Sequence, residues 1–179
     1  MNTFIVLLRG VTPSGKNRVP MAQLRQALSD NGFLNVQTWI QSGNVILDSD
    51  LSVKEVATKV SKLIKENIGA DLKIIVKTPA EIKTVLDENP FGEGYDISRV
   101  FFTLFNDIPD ENLVKNLQEQ DFGNDKFVIT SNAIYLFIPG SAAETKLNNN
   151  FLERKLKIDA TTRNFNTLSK MIELSSKNL

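Results

Sequence analysis

Two residue types on which much enzyme chemistry rests are missing from this chain of 179 residues, which has no cysteine and no histidine. Without cysteine there are no disulfides, thiol nucleophiles or thiolate metal sites. Without histidine, Ser-His and Cys-His catalysis and imidazole metal ligation are excluded. Long hydrophobic runs are missing as well. The apolar stretch near the N-terminus, Phe4 to Leu8, has no basic region before it and no small-residue cleavage site after it. It is too short for a signal peptide or a membrane span, so no membrane partner is expected. The lack of cysteine fits a reducing compartment, and the expected location is cytoplasmic. No EF-hand spacing of oxygen ligands occurs, and neither a metal nor a cofactor is expected.

What is present is ordinary globular material. Hydrophobic residues make up 41% and charged residues 23%, which excludes disordered and collagen-like chains. The size suits one domain or two small subdomains packed on each other, with a core that needs no staples.

Excess charge of either sign is absent overall, with 21 cations against 21 acids, but the distribution is uneven. Residues 1–47 carry +3, residues 48–153 carry −7 and residues 154–179 carry +4. Two basic ends create an anion-attracting patch if the fold brings them together; otherwise they are solvated faces.

Periodicity and punctuation give the organisation. Phe4 to Leu8 reads as a strand buried on both faces. A loop rich in Gly, Pro, Ser and Asn follows, and Pro20 opens a helix with Met21, Leu24 and Leu28 on one face. Gly32 closes it in the left-handed conformation, with Phe33 folding back over the end. Val36 to Ile40 and Val45 to Asp48 read as strands around the turn Gln41-Ser42-Gly43-Asn44. Ser52 and Glu55 form a capping box for a second helix with an apolar stripe from Val53 to Ile68, and Leu72 to Val76 is a strand. Residues 1–77 therefore predict a ferredoxin-like βαββαβ subdomain.

Residues 78–179 predict a second subdomain packed on the first. Thr78-Pro79-Ala80-Glu81 starts a helix, Val100 to Phe105 is an apolar strand, and a short helix follows Pro109-Asp110. Lys126 to Thr130 and Ala133 to Ile138 form a hairpin, and helices follow around Leu147 to Leu156 and from about Asn164. This reads βαββα, with a helix where the first half has its last strand. The expected class is α+β, two ferredoxin-like subdomains with mostly antiparallel sheets.

One loop imitates a chemical motif. Gly10-Val11-Thr12-Pro13-Ser14-Gly15-Lys16-Asn17 nearly matches the phosphate loop G-x-x-x-x-G-K-[ST], and Val45-Ile46-Leu47-Asp48 resembles a magnesium-holding strand. Three features weigh against an NTPase. Asn17 has no hydroxyl for magnesium. The helix starts at Pro20, too late to aim its positive end at phosphates. A βαββ order also places Val45 to Asp48 in a hairpin, where phosphate-loop enzymes use parallel strands. What survives is a loop with Lys16, Asn17 and Arg18 beside Arg9, rich in N–H donors for an anion. Thr161-Thr162-Arg163-Asn164 precedes the last helix, with Thr162 or Asn164 as its N-cap. A cation at that positive helix end is unfavourable and implies that Arg163 faces a carboxylate of the fold or a bound anion.

RNA-recognition modules share the βαββ order and display aromatics on two central strands. Phe4, Phe101, Phe102 and Phe105 could supply rings, but the aromatic-basic signature is missing and the rings read as core.

The segments Leu7-Leu8-Arg9-Gly10-Val11, Gly15-Lys16-Asn17-Arg18-Val19, Trp39 to Val45 and Thr162-Arg163-Asn164-Phe165 resemble the bacterial domain-of-unknown-function family 1697. The chain departs from that pattern at Thr12-Pro13-Ser14, where the family usually has Asn-Val-Gly. It also has Phe165 where the family often has Trp. The resemblance implies two ferredoxin-like subdomains and no established activity, substrate or cofactor. The reading that follows is a protein binding an anionic small molecule, a nucleotide or phosphorylated metabolite, through Arg9, Lys16, Asn17, Arg18, Asn44 and Arg163. The alternatives are a module binding RNA or single-stranded DNA, and an enzyme with a degenerate phosphate loop. Nothing marks a catalytic residue, and the balance is against an enzyme.

Overall fold

The computed structural model describes residues 1–178, with the backbone alone at Asn178. Leu179, the last residue of the expected second subdomain, lies outside the described residues. The described residues form two compact units, Met1–Ile82 with residues 170–178, and Lys83–Ser169.

The first unit carries β1 (Asn2–Arg9), α1 (Met21–Asp30), β2 (Leu34–Trp39), β3 (Asn44–Ser49), α2 (Val53–Asn67) and β4 (Lys73–Lys77). Its sheet has the order β2-β3-β1-β4 with every neighbouring pair antiparallel. This is the ferredoxin-like arrangement expected from the sequence. Strand alternation sends Phe4, Val6 and Leu8 into a core with Leu24, Leu28, Val60 and Ile64 of the two helices. Ile5 and Leu7 take the other face and are fully buried too, as the unbroken apolar run implied.

Local signals explain the helix ends. Ser52 Oγ accepts from Glu55 N and the Glu55 carboxylate accepts from Ser52 N, the reciprocal capping box. Thr78 and Glu81 repeat it at the start of α3 (Pro79–Asp87). Gly32 has φ +90°, and Phe33 N returns to Leu28 O at 3.2 Å after α1. Pro20 sits one position earlier than expected. It is the N-cap of α1, and Met21 is the first helical residue.

Edge strand β2 is irregular. Its register shifts between Leu34 and Gln37, where Asn35 takes a left-handed φ of +50°. The Asn35 amide donates to Asp48 Oδ2 at 2.7 Å, and Thr3 Oγ1 donates to Asp48 Oδ1 at 2.7 Å. The buried Asp48 carboxylate is thereby satisfied inside the fold.

In the second unit, β5 (Val100–Phe105), α4 (Glu111–Gln118), β6 (Lys126–Ile129), β7 (Ile134–Phe137), α5 (Asn149–Leu156) and β8 (Ala160–Asn164) repeat the plan. The sheet order β6-β7-β5-β8 matches that of the first unit. Strand β8 was not expected: only Ala160 and Thr161 of its five residues are buried, so no apolar alternation announced it. The second half is therefore a complete βαββαβ unit, and α6 (Phe165–Ser175) follows it. Asn164 caps α6, with its Oδ1 accepting from Thr167 N at 2.8 Å.

The rings of the central strands are core. Phe4, Phe102, Phe105 and Tyr135 are all buried, and Tyr135 donates its hydroxyl proton to Val85 O at 3.0 Å. Burial, with a smaller push from Glu88, raises the Tyr135 phenol to about 12. No described helix is long and apolar enough to cross a membrane.

Candidate functional site

Strands β1 and β2 are both antiparallel to β3, so they run the same way and end at the same edge of the first sheet. The loop after β1 and the turn after β2 therefore meet. The loop is tied by Thr12 N donating to Asn17 O at 3.0 Å, Arg18 N to Gly15 O at 3.2 Å and Thr12 Oγ1 to Ser14 O at 2.7 Å.

The turn is held from both sides. Asn44 is fully buried, and its amide donates to Trp39 O at 3.1 Å and to Ser42 Oγ at 2.9 Å. Leu8 N donates to Gly43 O at 2.8 Å, which pins the turn against β1. A Cβ at Gly43 would lie 2.6 Å from Leu8 Cβ and 2.9 Å from Val11 Cγ2, and its φ is +82°. Only glycine suits that backbone and that approach. Ile40 opens the turn with φ +51°, a strained conformation for a β-branched residue.

Between loop and turn lies a cleft of about 480 Å³. Val11, Thr12 and Pro13 line it from the loop, Arg18, Val19 and Pro20 from the approach to α1, and Gln41 and Ser42 from the turn. Its volume falls in the range of small-molecule sites. Among the described residues the exposed Arg18 guanidinium has no ion pair and no hydrogen-bond partner. Pro20 has no N–H, no side chain among the described residues caps α1, and its first turn contains no acid. The positive end of the helix macrodipole therefore opens beside the cleft.

The expected site residues divide as follows. Arg18 lines the cleft; Asn17 braces the loop through its carbonyl, and Lys16 is exposed in the loop without lining the cleft. Arg9 ends β1 opposite Lys73 of β4. Asn44 shapes the turn. Arg163 belongs to the second unit, directly before the Asn164 cap of α6 as the sequence suggested, but on strand β8. It is half-buried, and its Nη1 donates to Thr161 Oγ1 at 2.6 Å and to Thr162 O at 3.0 Å. Burial lowers its pKa to about 10, which leaves it charged at neutral pH.

Sequence reasoning missed Val11, Thr12, Pro13, Val19 and Pro20 as cleft residues and read Gln41 and Ser42 as turn residues alone. The usable signal was topological, because the split βαβ order already places the ends of β1 and β2 side by side.

The phosphate-loop likeness does not extend to geometry. Helix α1 begins at Met21, well past Lys16. The strand ending near Asp48 is antiparallel to β1, and the Asp48 carboxylate is occupied by Thr3 and Asn35. Among the described residues no group of three or more acidic side chains is placed to hold a metal ion.

Comparison with known proteins gives a family and a fold. The family model described as "Protein of unknown function (DUF1697)" matches residues 1–135. No curated protein matches the chain. A solved structure, the conserved bacterial protein SP0830 from Streptococcus pneumoniae, is similar to it with a TM-score of 0.78 and 21% sequence identity. The similarity covers 97% of this chain and 98% of that one, and it bears on the fold.

Proposed function

The chain belongs to the DUF1697 family of proteins of unknown function, and from that premise we propose that it binds an anionic small molecule in the cleft between the β1–α1 loop and the β2–β3 turn. The observation that carries this reading is Arg18, an unpartnered guanidinium set in a concave site of about 480 Å³. A guanidinium offers a planar fork of donors that matches carboxylate and phosphate oxygens. The uncapped start of α1 adds favourable potential for negative charge.

The other residues have supporting roles. Asn17 and Thr12 fix the loop, Asn44 and Gly43 fix the turn, and Lys16 contributes long-range attraction at low salt. Arg9 and Arg163 are outside this binding role.

The test is a titration by isothermal calorimetry and thermal shift at low ionic strength. The ligands are inorganic phosphate, nucleoside monophosphates and small carboxylates. The expected result is saturable stabilisation by at least one anion, weakened about ten- to a hundred-fold by Arg18→Ala. If no anion stabilises the parent protein, the reading fails.

A further inference from the structure

The cleft is poorly matched to a highly charged ligand. One cation, Arg18, lines it; Lys16, the other cation of the loop, is not among its walls. Four of its wall residues, Val11, Pro13, Val19 and Pro20, are apolar. The Thr12 hydroxyl is already spent on Ser14 O, and the Ser42 oxygen accepts from Asn44. Among the described residues the Gln41 amide makes no hydrogen bond, so it stands beside Arg18 as a neutral polar group free for a ligand.

Resting on the reading of this cleft as an anion site, we infer that its ligand is a monoanion with an apolar body, a carboxylate carrying a small aliphatic or aromatic group. One guanidinium balances one charge. A nucleoside triphosphate or a phosphate dianion would leave negative charge uncompensated against proline and valine, and displacing its water there is unfavourable. A carboxylate takes two parallel N–H bonds from the guanidinium. Its apolar part gains by covering Val11, Pro13 and Pro20, the apolar walls that keep exposed surface. The Gln41 amide can bond a polar substituent or the second edge of the carboxylate. The turn is built for this closeness: Gly43 lets it approach Val11, itself one of the walls, where a Cβ would lie 2.9 Å from Val11 Cγ2.

The test compares phenylacetate and 3-methylbutanoate with phenylacetamide, inorganic phosphate and ATP by calorimetric titration of the full chain at low ionic strength. Phenylacetate or 3-methylbutanoate is expected to bind at least ten-fold more tightly than phosphate, ATP or the neutral amide. Arg18→Ala is expected to remove that preference, and Arg18→Lys to restore only part of it, since a lysine offers no fork. Pro13→Ser, at an exposed wall, is expected to weaken the carboxylates while leaving phosphate unchanged. Circular dichroism of each variant checks that it folds. If phosphate or ATP binds more tightly than both carboxylates and depends on Arg18, the anion site stands and the monoanion inference falls. If no compound binds the parent, both fall.

Discussion

Gly43→Ala probes the geometry on which the cleft depends. The residue has φ +82°, a conformation that costs an L-residue about 1–2 kcal/mol. The new methyl group would meet Leu8 Cβ at 2.6 Å and Val11 Cγ2 at 2.9 Å. Retreat of the turn is opposed by the 2.8 Å bond from Leu8 N to Gly43 O. Overpacking of this kind costs about 1–3 kcal/mol, so the whole effect is about 2–5 kcal/mol. Gly15→Ala is the matched control, because Gly15 has φ +81° but no atom within 4 Å of its Cβ position. It bears the backbone cost alone. The difference between the two variants, about 1–3 kcal/mol, isolates the close approach. Urea unfolding followed by circular dichroism reads it directly. Calorimetry should show an extra fall in Tm of about 2–4 °C for each kcal/mol of that difference. Equal destabilisation by the two substitutions would refute the steric account.

Three further outcomes follow from the same structure. Ile40→Asn is expected to stabilise the protein by about 1 kcal/mol in urea unfolding, because Asn tolerates the left-handed φ of +51° and Ile40 is half exposed. Asp48→Ala is expected to cost about 2–4 kcal/mol, since it strands the Thr3 hydroxyl and the Asn35 amide that holds the bulge of β2; unfolding of the Thr3→Val, Asp48→Ala pair in a double-mutant cycle checks the coupling. The Tyr135 phenol keeps its proton to about 12 in the fold, against about 10 when unfolded, so its stabilising share is complete below pH 10 and is lost as pH rises toward 12. Tyr135→Phe should remove that alkaline decline from a stability-versus-pH curve while costing about 1 kcal/mol at neutral pH through the lost bond to Val85 O.

The fold was legible where local chemistry and periodicity agree. The Ser52–Glu55 box, the Gly32–Phe33 ending and the apolar run Phe4 to Leu8 each name their element from the residue types alone. Strand β8 was hidden because Thr162 to Asn164 are not fully buried and the segment carries no alternating apolar pattern. It took its place through pairing with β5, a long-range partner that sequence spacing does not show. That miss also hid the setting of Arg163, which precedes the Asn164 cap of α6 as expected but lies on a strand, with Thr161 and Thr162 among its partners. In the candidate site, the loop cations were visible, yet their separation into a lining residue, Arg18, and a non-lining one, Lys16, depends on how the loop folds on Asn17. Asn44 stood out in the sequence as an amide at a turn, and its burial turned that amide inward.

The most direct test of the cleft is a titration with phenylacetate followed by backbone amide shifts in 15N–1H spectra. Saturable shifts concentrated at Val11, Thr12, Arg18, Val19 and Ser42, and absent in Arg18→Ala, are the predicted result. Shifts confined to other parts of the chain, or unchanged by loss of the guanidinium, would contradict it.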